Sequence, residues 1–178
     1  GEIDILVGTQ MIAKGHDFPR VTLVGVVDAD VGLGIPDFRS AERTFQLVAQ
    51  VAGRAGRAPK PGRVVVQTTM PDHAAILRAA QHDFEGFATR ELAERKELLW
   101  PPWSRILRVV VLARGEKTAE ALAQEAKSAV ETGAPGARVL GPAPTFLEQL
   151  KGKHRFHILV LAPDPRVLAA AVTAVRPL

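Results

Sequence analysis

The sequence predicts an α/β protein in two parts: a parallel sheet with a crossover helix, then a small α+β unit of ferredoxin-like order. Three observations predict this. Continuous runs rich in β-branched residues recur at 3–7, 21–27 and 63–68, and such runs suit strands buried on both faces of a parallel sheet. An amphipathic stretch separates the second run from the third, and strand, helix and strand within about 45 residues is the spacing of a parallel crossover. Beyond Pro101-Pro102 the order becomes β-α-β-β-α, the split arrangement of a ferredoxin-like unit.

The elements follow in order. "IDILV" (3–7) and "VTLVGVV" (21–27) read as strands, the second followed closely by Asp28 and Asp30. "SAERTFQLVAQVAGRAG" (40–56) reads as a helix, with Phe45, Leu47, Val48, Val51 and Ala52 at helical spacing. Ser40 suits its N-cap and Glu42 the positive end of its dipole. "RVVVQT" (63–68) is the third strand. Residues 71–100 read as one long amphipathic helix, with Leu77, Ala80, Phe84, Phe87 and Leu92 on one face and Glu91 set to support Arg95. Pro101-Pro102 stops that helix. The expected domains are therefore 1–72, a connecting helix and linker at 73–102, and 103–178. Trp100 and Trp103 flank the prolines and read as packing between domains. In the last domain, 105–115 is a strand and 117–133 a helix ended by Gly133. Strands 138–150 and 154–163 are joined by "KGK" (151–153), and 164–175 is a helix, with a further strand expected after Leu178.

Composition sets the limits. The 178 residues are 47 % hydrophobic and 24 % charged, ordinary for a globular chain. No run of 18 apolar residues and no signal segment is present, so a cytoplasmic monomer is expected, with no membrane partner. Cysteine is absent, which excludes disulfides and thiolate zinc sites in this stretch. The net charge of +4 permits an anionic partner without demanding one. The chain opens inside a strand and not on Met, and reads as part of a longer protein whose N-terminal partner precedes it.

The chemistry concentrates in "QVAGRAGR" (50–57). Arg54 and Arg57 lie three apart and share a helix face. Guanidinium forks bind phosphate oxygens bidentately and stay charged at any working pH. Gly53 and Gly56 cost roughly 1 kcal/mol each against alanine in a helix, yet leave room for something to come close. Two such cations beside a small anion suit a triphosphate during transfer. Ligands of a parallel sheet bind at the carboxyl ends of its strands, and "GTQMIAKGHDFP" (8–19) and "QVAGRAGR" are expected at the same edge. Asp28 and Asp30 read as loop-ordering acids in preference to a metal pair, and Arg39, Glu42 and Arg43 as a local ion network. "KGKHRFH" (151–157) is a basic turn with an aromatic. Lys151, Lys153 and Arg155 there suit phosphate and base contacts, an acidic peptide with a hydrophobic end, or a solvated turn. His154 and His157, three apart on a strand, face opposite sides, so no metal site is read in this stretch.

The residues also resemble a known family. "GTQMIAKGHDFP" looks like motif V of superfamily-two helicases, and Gln50-x-x-Gly53-Arg54-x-x-Arg57 like their motif VI. Together with "PDFRSAERTFQLVAQVAGRAGR" the wording resembles the PriA family of replication restart helicases, also called primosomal protein N′. The likeness is dense over 1–103 and looser through "LLWPPW" and "VLGPAP" to the end. It implies that residues 1–72 form most of a second RecA-like helicase lobe. Arg54 and Arg57 would be catalytic, and Gly15, Asp17, Gln50 and Gly53 would hold nucleotide, with Asp17 on the ribose. Thr9, Gln10 and Lys14 would contact the tracked DNA strand or couple it to ATP. Residues 103–178 would bind branched and single-stranded DNA, the tail of single-stranded DNA-binding protein and other primosome proteins. ATP and Mg²⁺ would be shared with a first lobe upstream, where a zinc insertion also belongs. The implied function is an ATP-dependent 3′–5′ helicase of the bacterial nucleoid that prepares abandoned forks for helicase reloading. The alternatives are a non-hydrolysing fork-binding scaffold and another superfamily-two translocase.

Overall fold

The computed structural model of the chain describes residues 3–9, 21–53 and 62–176. Two compact units divide it between Glu91 and Leu92. The first holds β1 (Leu23–Val26), α1 (Asp30–Leu33), α2 (Ser40–Ala52), β2 (Arg63–Val66), α3 (Ala74–Ala80) and the first half of α4 (Phe84–Glu97). β1 and β2 pair in parallel, from Leu23 opposite Arg63 to Val26 opposite Val66, so the predicted crossover through α2 is present. The amphipathic face of α2 buries Thr44, Phe45, Val48 and Val51. The Phe45 ring stacks on Phe87 with centroids 4.3 Å apart, and Ala75, Ala79 and half-buried Val66 complete this core.

Several sequence expectations change here. β1 and β2 are not buried on both faces: Leu23 and Val65 stay exposed, because among the described residues the helices cover only the face that carries Val66. Residues 3–9 form no strand and Ile3, Ile5, Leu6 and Val7 are exposed. A strand needs a neighbour for its N–H and C=O groups, and none of the described strands pairs with this one. Ser40 does not cap α2 but is its first residue. Asp37 orders that entry instead, its Oδ1 accepting the Arg39 N–H at 2.9 Å and its Oδ2 pairing with Arg43 Nη1 at 3.1 Å. Asp37 thus joins the expected ion network through Arg43, Glu42 accepts from Gln46, and the Arg39 guanidinium lies 5.0 Å over the Phe38 ring.

The single helix expected over 71–100 is two. α3 ends at Ala80, His82 takes a left-handed φ of 54°, and Asp83 starts α4 by accepting the Gly86 N–H at 2.8 Å. Asp83 also pairs with Arg78 at 2.5 Å, which ties the two helices across the break. The expected apolar face divides with them: Phe87 is buried, whereas Leu77, Phe84 and Leu92 are exposed.

The second unit holds β3 (Arg105–Ala113), α5 (Glu116–Gly133), β4 (Arg138–Leu150), β5 (Lys153–Ala162) and α6 (Pro165–Val175). The strands lie in the order β3-β5-β4, antiparallel throughout. β5 is thus inserted between two strands joined through α5, the split order the sequence predicts. Ile158 and Val160 on β5 pack against Ala126 and Val130 on α5 and Ala171 on α6. Asp164 caps α6, taking N–H groups from Arg166 at 2.7 Å and Val167 at 3.0 Å, and Pro165 occupies the first turn, where its missing N–H costs nothing. Gly133 does not end α5 as a left-handed cap. It is the last helical residue, and a Cβ there would stand 2.7 Å from the Ala174 Cβ. The glycine is present because α6 crosses at that point.

Candidate nucleotide and nucleic-acid sites

The described part of the motif at 50–57 sits at the C-terminal end of α2. The buried face of that helix fixes its rotation, which leaves Gln50 and Gly53 together on the exposed side. Gly53 has ordinary helical dihedrals, φ −69° and ψ −4°, and donates to the Ala49 carbonyl at 3.0 Å. A Cβ at Gly53 would meet only the Ala49 and Gln50 carbonyls at 3.6 and 3.7 Å, which is ordinary contact. Neither backbone conformation nor crowding among the described residues asks for glycine there. Arg54 and Arg57 lie outside the described residues, as do Gln10, Lys14, Gly15 and Asp17. Thr9 is exposed at the end of the described 3–9 stretch.

The shared edge expected for the two motifs falls on residues 8–19 and 50–57, most of which lie outside the described residues. The N-terminal half of α2 faces the carboxyl ends of the strands, since a Cβ at Gly32 of α1 would lie 2.6 Å from Thr44 Oγ1. Gln50 is six residues further along, about 9 Å at helical rise. Near the strand ends, Asp30 is the organising group. Its carboxylate accepts the Thr68 hydroxyl, the Thr69 N–H at 2.6 Å and the Thr69 hydroxyl at 2.7 Å. Those bonds, the Thr68 hydroxyl first, hold Asp30 below the usual carboxylate range. Asp30 thus clasps the loop after β1 to the loop after β2. The sequence carried half of that signal, an acid just past a strand, but not its partners 38 and 39 residues away.

The basic turn is the other candidate. Leu150 pairs with Lys153, and Lys151 and Gly152 both take positive φ, 51° and 72°. This is the two-residue hairpin turn whose twist matches that of the strands, and it leaves Lys151 and Lys153 exposed. Phe156, the aromatic expected beside them, is buried under α5 with Ala119 and Ala123. Arg155 is half-buried. Its Nη1 donates to the Leu147 carbonyl at 3.4 Å, while its Nε is buried without a hydrogen-bond partner. His154 contacts Gln149 at 2.9 Å on the helix-bearing side. His157 faces the other side, where burial and then the Arg108 charge lower its pKa.

An aromatic that the sequence reading passed over lies on the other strand. Pro144 pairs with Phe156 and Gln149 with His154, so Thr145, Phe146, Leu147 and Glu148 all oppose the single residue Arg155. Within this wide bulge Thr145 is buried at 2 % exposure and its hydroxyl donates to the Leu147 carbonyl at 2.7 Å. Phe146 and Leu147 are thrown outward, 68 % and 58 % exposed. The adjacent apolar pair was the available signal, since a regular strand would send one of the two to each face.

A parallel crossover that ends in this motif, followed by a split antiparallel unit, is the build of a helicase C-terminal lobe joined to a small accessory domain. The comparisons agree with that class. Residues 1–59 match the helicase conserved C-terminal domain, and residues 96–178 match the primosomal protein N C-terminal domain. The chain is 47 % identical to the replication restart protein PriA of Treponema pallidum over 92 % of its own length and 25 % of that protein's. For the Bacillus subtilis protein of the same name the values are 45 %, 96 % and 21 %, and for that of Chlamydia muridarum 49 %, 71 % and 16 %. The chain belongs to the PriA family. It spans about a quarter or less of the length of these relatives. Among the described residues no helix is long and apolar enough to cross a membrane.

Proposed function

We propose that the chain serves replication restart as the second motor lobe and C-terminal domain of an ATP-driven 3′–5′ DNA helicase. In this reading ATP and Mg²⁺ bind between this lobe and a first lobe. Gln50, Arg54 and Arg57 face that nucleotide, Gly15 and Asp17 lie beside it, and Thr9, Gln10 and Lys14 face the DNA strand. ATP, when bound, supplies the phosphoryl group whose transfer changes the lobe spacing. The arginines balance the charge on that group and register its loss. The second unit binds branched and single-stranded DNA, with Lys151, Lys153 and Arg155 the cations on its hairpin. Its partners are single-stranded DNA-binding protein and other primosome proteins.

The observation that carries the motor reading is the exposed pair Gln50 and Gly53 at the C-terminal end of α2. Gly53 closes α2 beside the exposed Gln50, directly before Arg54 in the sequence. A nucleotide beside this helix end would meet Arg54 and Arg57, whose guanidinium forks select an anion.

The test is DNA-stimulated ATP hydrolysis by the full-length protein, wild type against Arg57→Ala. The variant is expected to keep fork binding and lose about 10³-fold or more in turnover, the range of arginine fingers. Wild-type fork binding without any hydrolysis would refute the motor and leave the scaffold alternative, in which restart rests on binding and recruitment.

A further inference from the structure

We propose that the β4 bulge is a base-stacking platform that makes the second unit's hairpin select unpaired nucleotides. This rests on the reading that the second unit binds DNA, and adds what that site reads. Three features converge. Phe146 projects from the bulge with most of its ring exposed, so it offers a flat aromatic face and not the concave pocket that an apolar peptide end requires. The bulge that carries the ring is braced from behind: the Leu147 carbonyl accepts both the Thr145 hydroxyl at 2.7 Å and Arg155 Nη1 at 3.4 Å. The bulge therefore keeps its shape without a ligand. Lys151 and Lys153 stand at the tip of the same hairpin, on a turn fixed by the positive φ of Lys151 and Gly152.

The charge balance names the occupant. Across residues 145–155, Lys151, Lys153 and Arg155 face the one carboxylate of Glu148, so a polyanion is favoured. An aromatic face beside backbone-tracking cations is how proteins hold single strands without reading sequence, because every base has a π-face. Paired bases hide those faces in the stack. Phe146 thus gives the hairpin a preference for unpaired nucleotides, while the lysines give it strength that falls with salt.

The experiment measures binding of the 178-residue chain to two fluorescent strands of equal length, an oligothymidylate and an abasic strand with the same phosphates. Wild type is expected to bind the thymidylate about 5- to 150-fold more tightly, the stacking range for one base. Phe146→Ala should remove that preference and leave abasic binding unchanged, and Phe146→Trp should restore it. The double variant Lys151→Gln, Lys153→Gln should weaken both strands, with a log–log salt slope shallower by about 1.4. Equal wild-type binding to both strands, or a preference that survives Phe146→Ala, overturns stacking and leaves the DNA-binding reading standing. Failure of both strands to bind overturns stacking and the DNA-binding reading alike. If Phe146→Ala instead abolishes binding of a peptide of five aspartates followed by phenylalanine while DNA discrimination is intact, the surface is a peptide site and the proposal is wrong.

Discussion

Gly141→Ala tests how β4 is joined to β5. Gly141 has φ +99°, a conformation that L side chains rarely adopt, and an alanine Cβ there would stand 2.9 Å from the His157 carbonyl oxygen and 3.3 Å from the Ala143 nitrogen. Both neighbours are backbone, so neither can swing away as a side chain tip would. The dihedral penalty is about 1–3 kcal/mol, and forcing apart a packed contact costs about 1–3 kcal/mol more. Together these remove a large share of a domain stability of about 5–15 kcal/mol. Gly152→Ala is the control. Its φ is +72°, but a Cβ would meet nothing within 4 Å, so only the left-handed penalty of about 1–2 kcal/mol applies. The chain's two tryptophans, Trp100 and Trp103, both belong to the second unit, so their fluorescence during urea unfolding reports on that unit. Gly141→Ala is expected to lower the midpoint clearly more than Gly152→Ala. An equal or smaller loss at Gly141 would refute the close approach of β4 to β5.

Two further outcomes follow from the packing and from one titration. Phe87→Ala should destabilise the first unit by about 3–5 kcal/mol, because Phe87 is buried and stacked on Phe45, whereas Phe84→Ala, on an exposed ring, should cost well under that; thermal melts by circular dichroism compare them. His157 has a folded pKa lowered by burial and by Arg108, so the unfolded chain takes up its proton first as pH falls. The second unit should therefore hold its full stability above about pH 6.5, the unfolded value, and lose some below it, with tryptophan-monitored unfolding of His157→Gln showing a flatter profile through that range.

The sequence by itself determined the elements that rest on local periodicity. Strand runs at 21–27 and 63–68, the amphipathic face of α2, and the β-α-β-β-α order of the second unit all depend on neighbours a few residues apart, and they appear where the pattern put them. The hairpin turn at Lys151-Gly152 was legible for the same reason. Tertiary structure decided what depends on distant partners. Phe146 faces outward and Phe156 inward because four residues of β4 oppose one of β5, a register that no local pattern states. Asp30 finds its hydrogen bonds on the loop after β2, and Asp83 breaks a helix whose apolar spacing alone would run on. Gly133 is small because Ala174 arrives from another helix. That needs coordinates, since the sequence records only a glycine there and the helix that requires it comes close only in the folded unit.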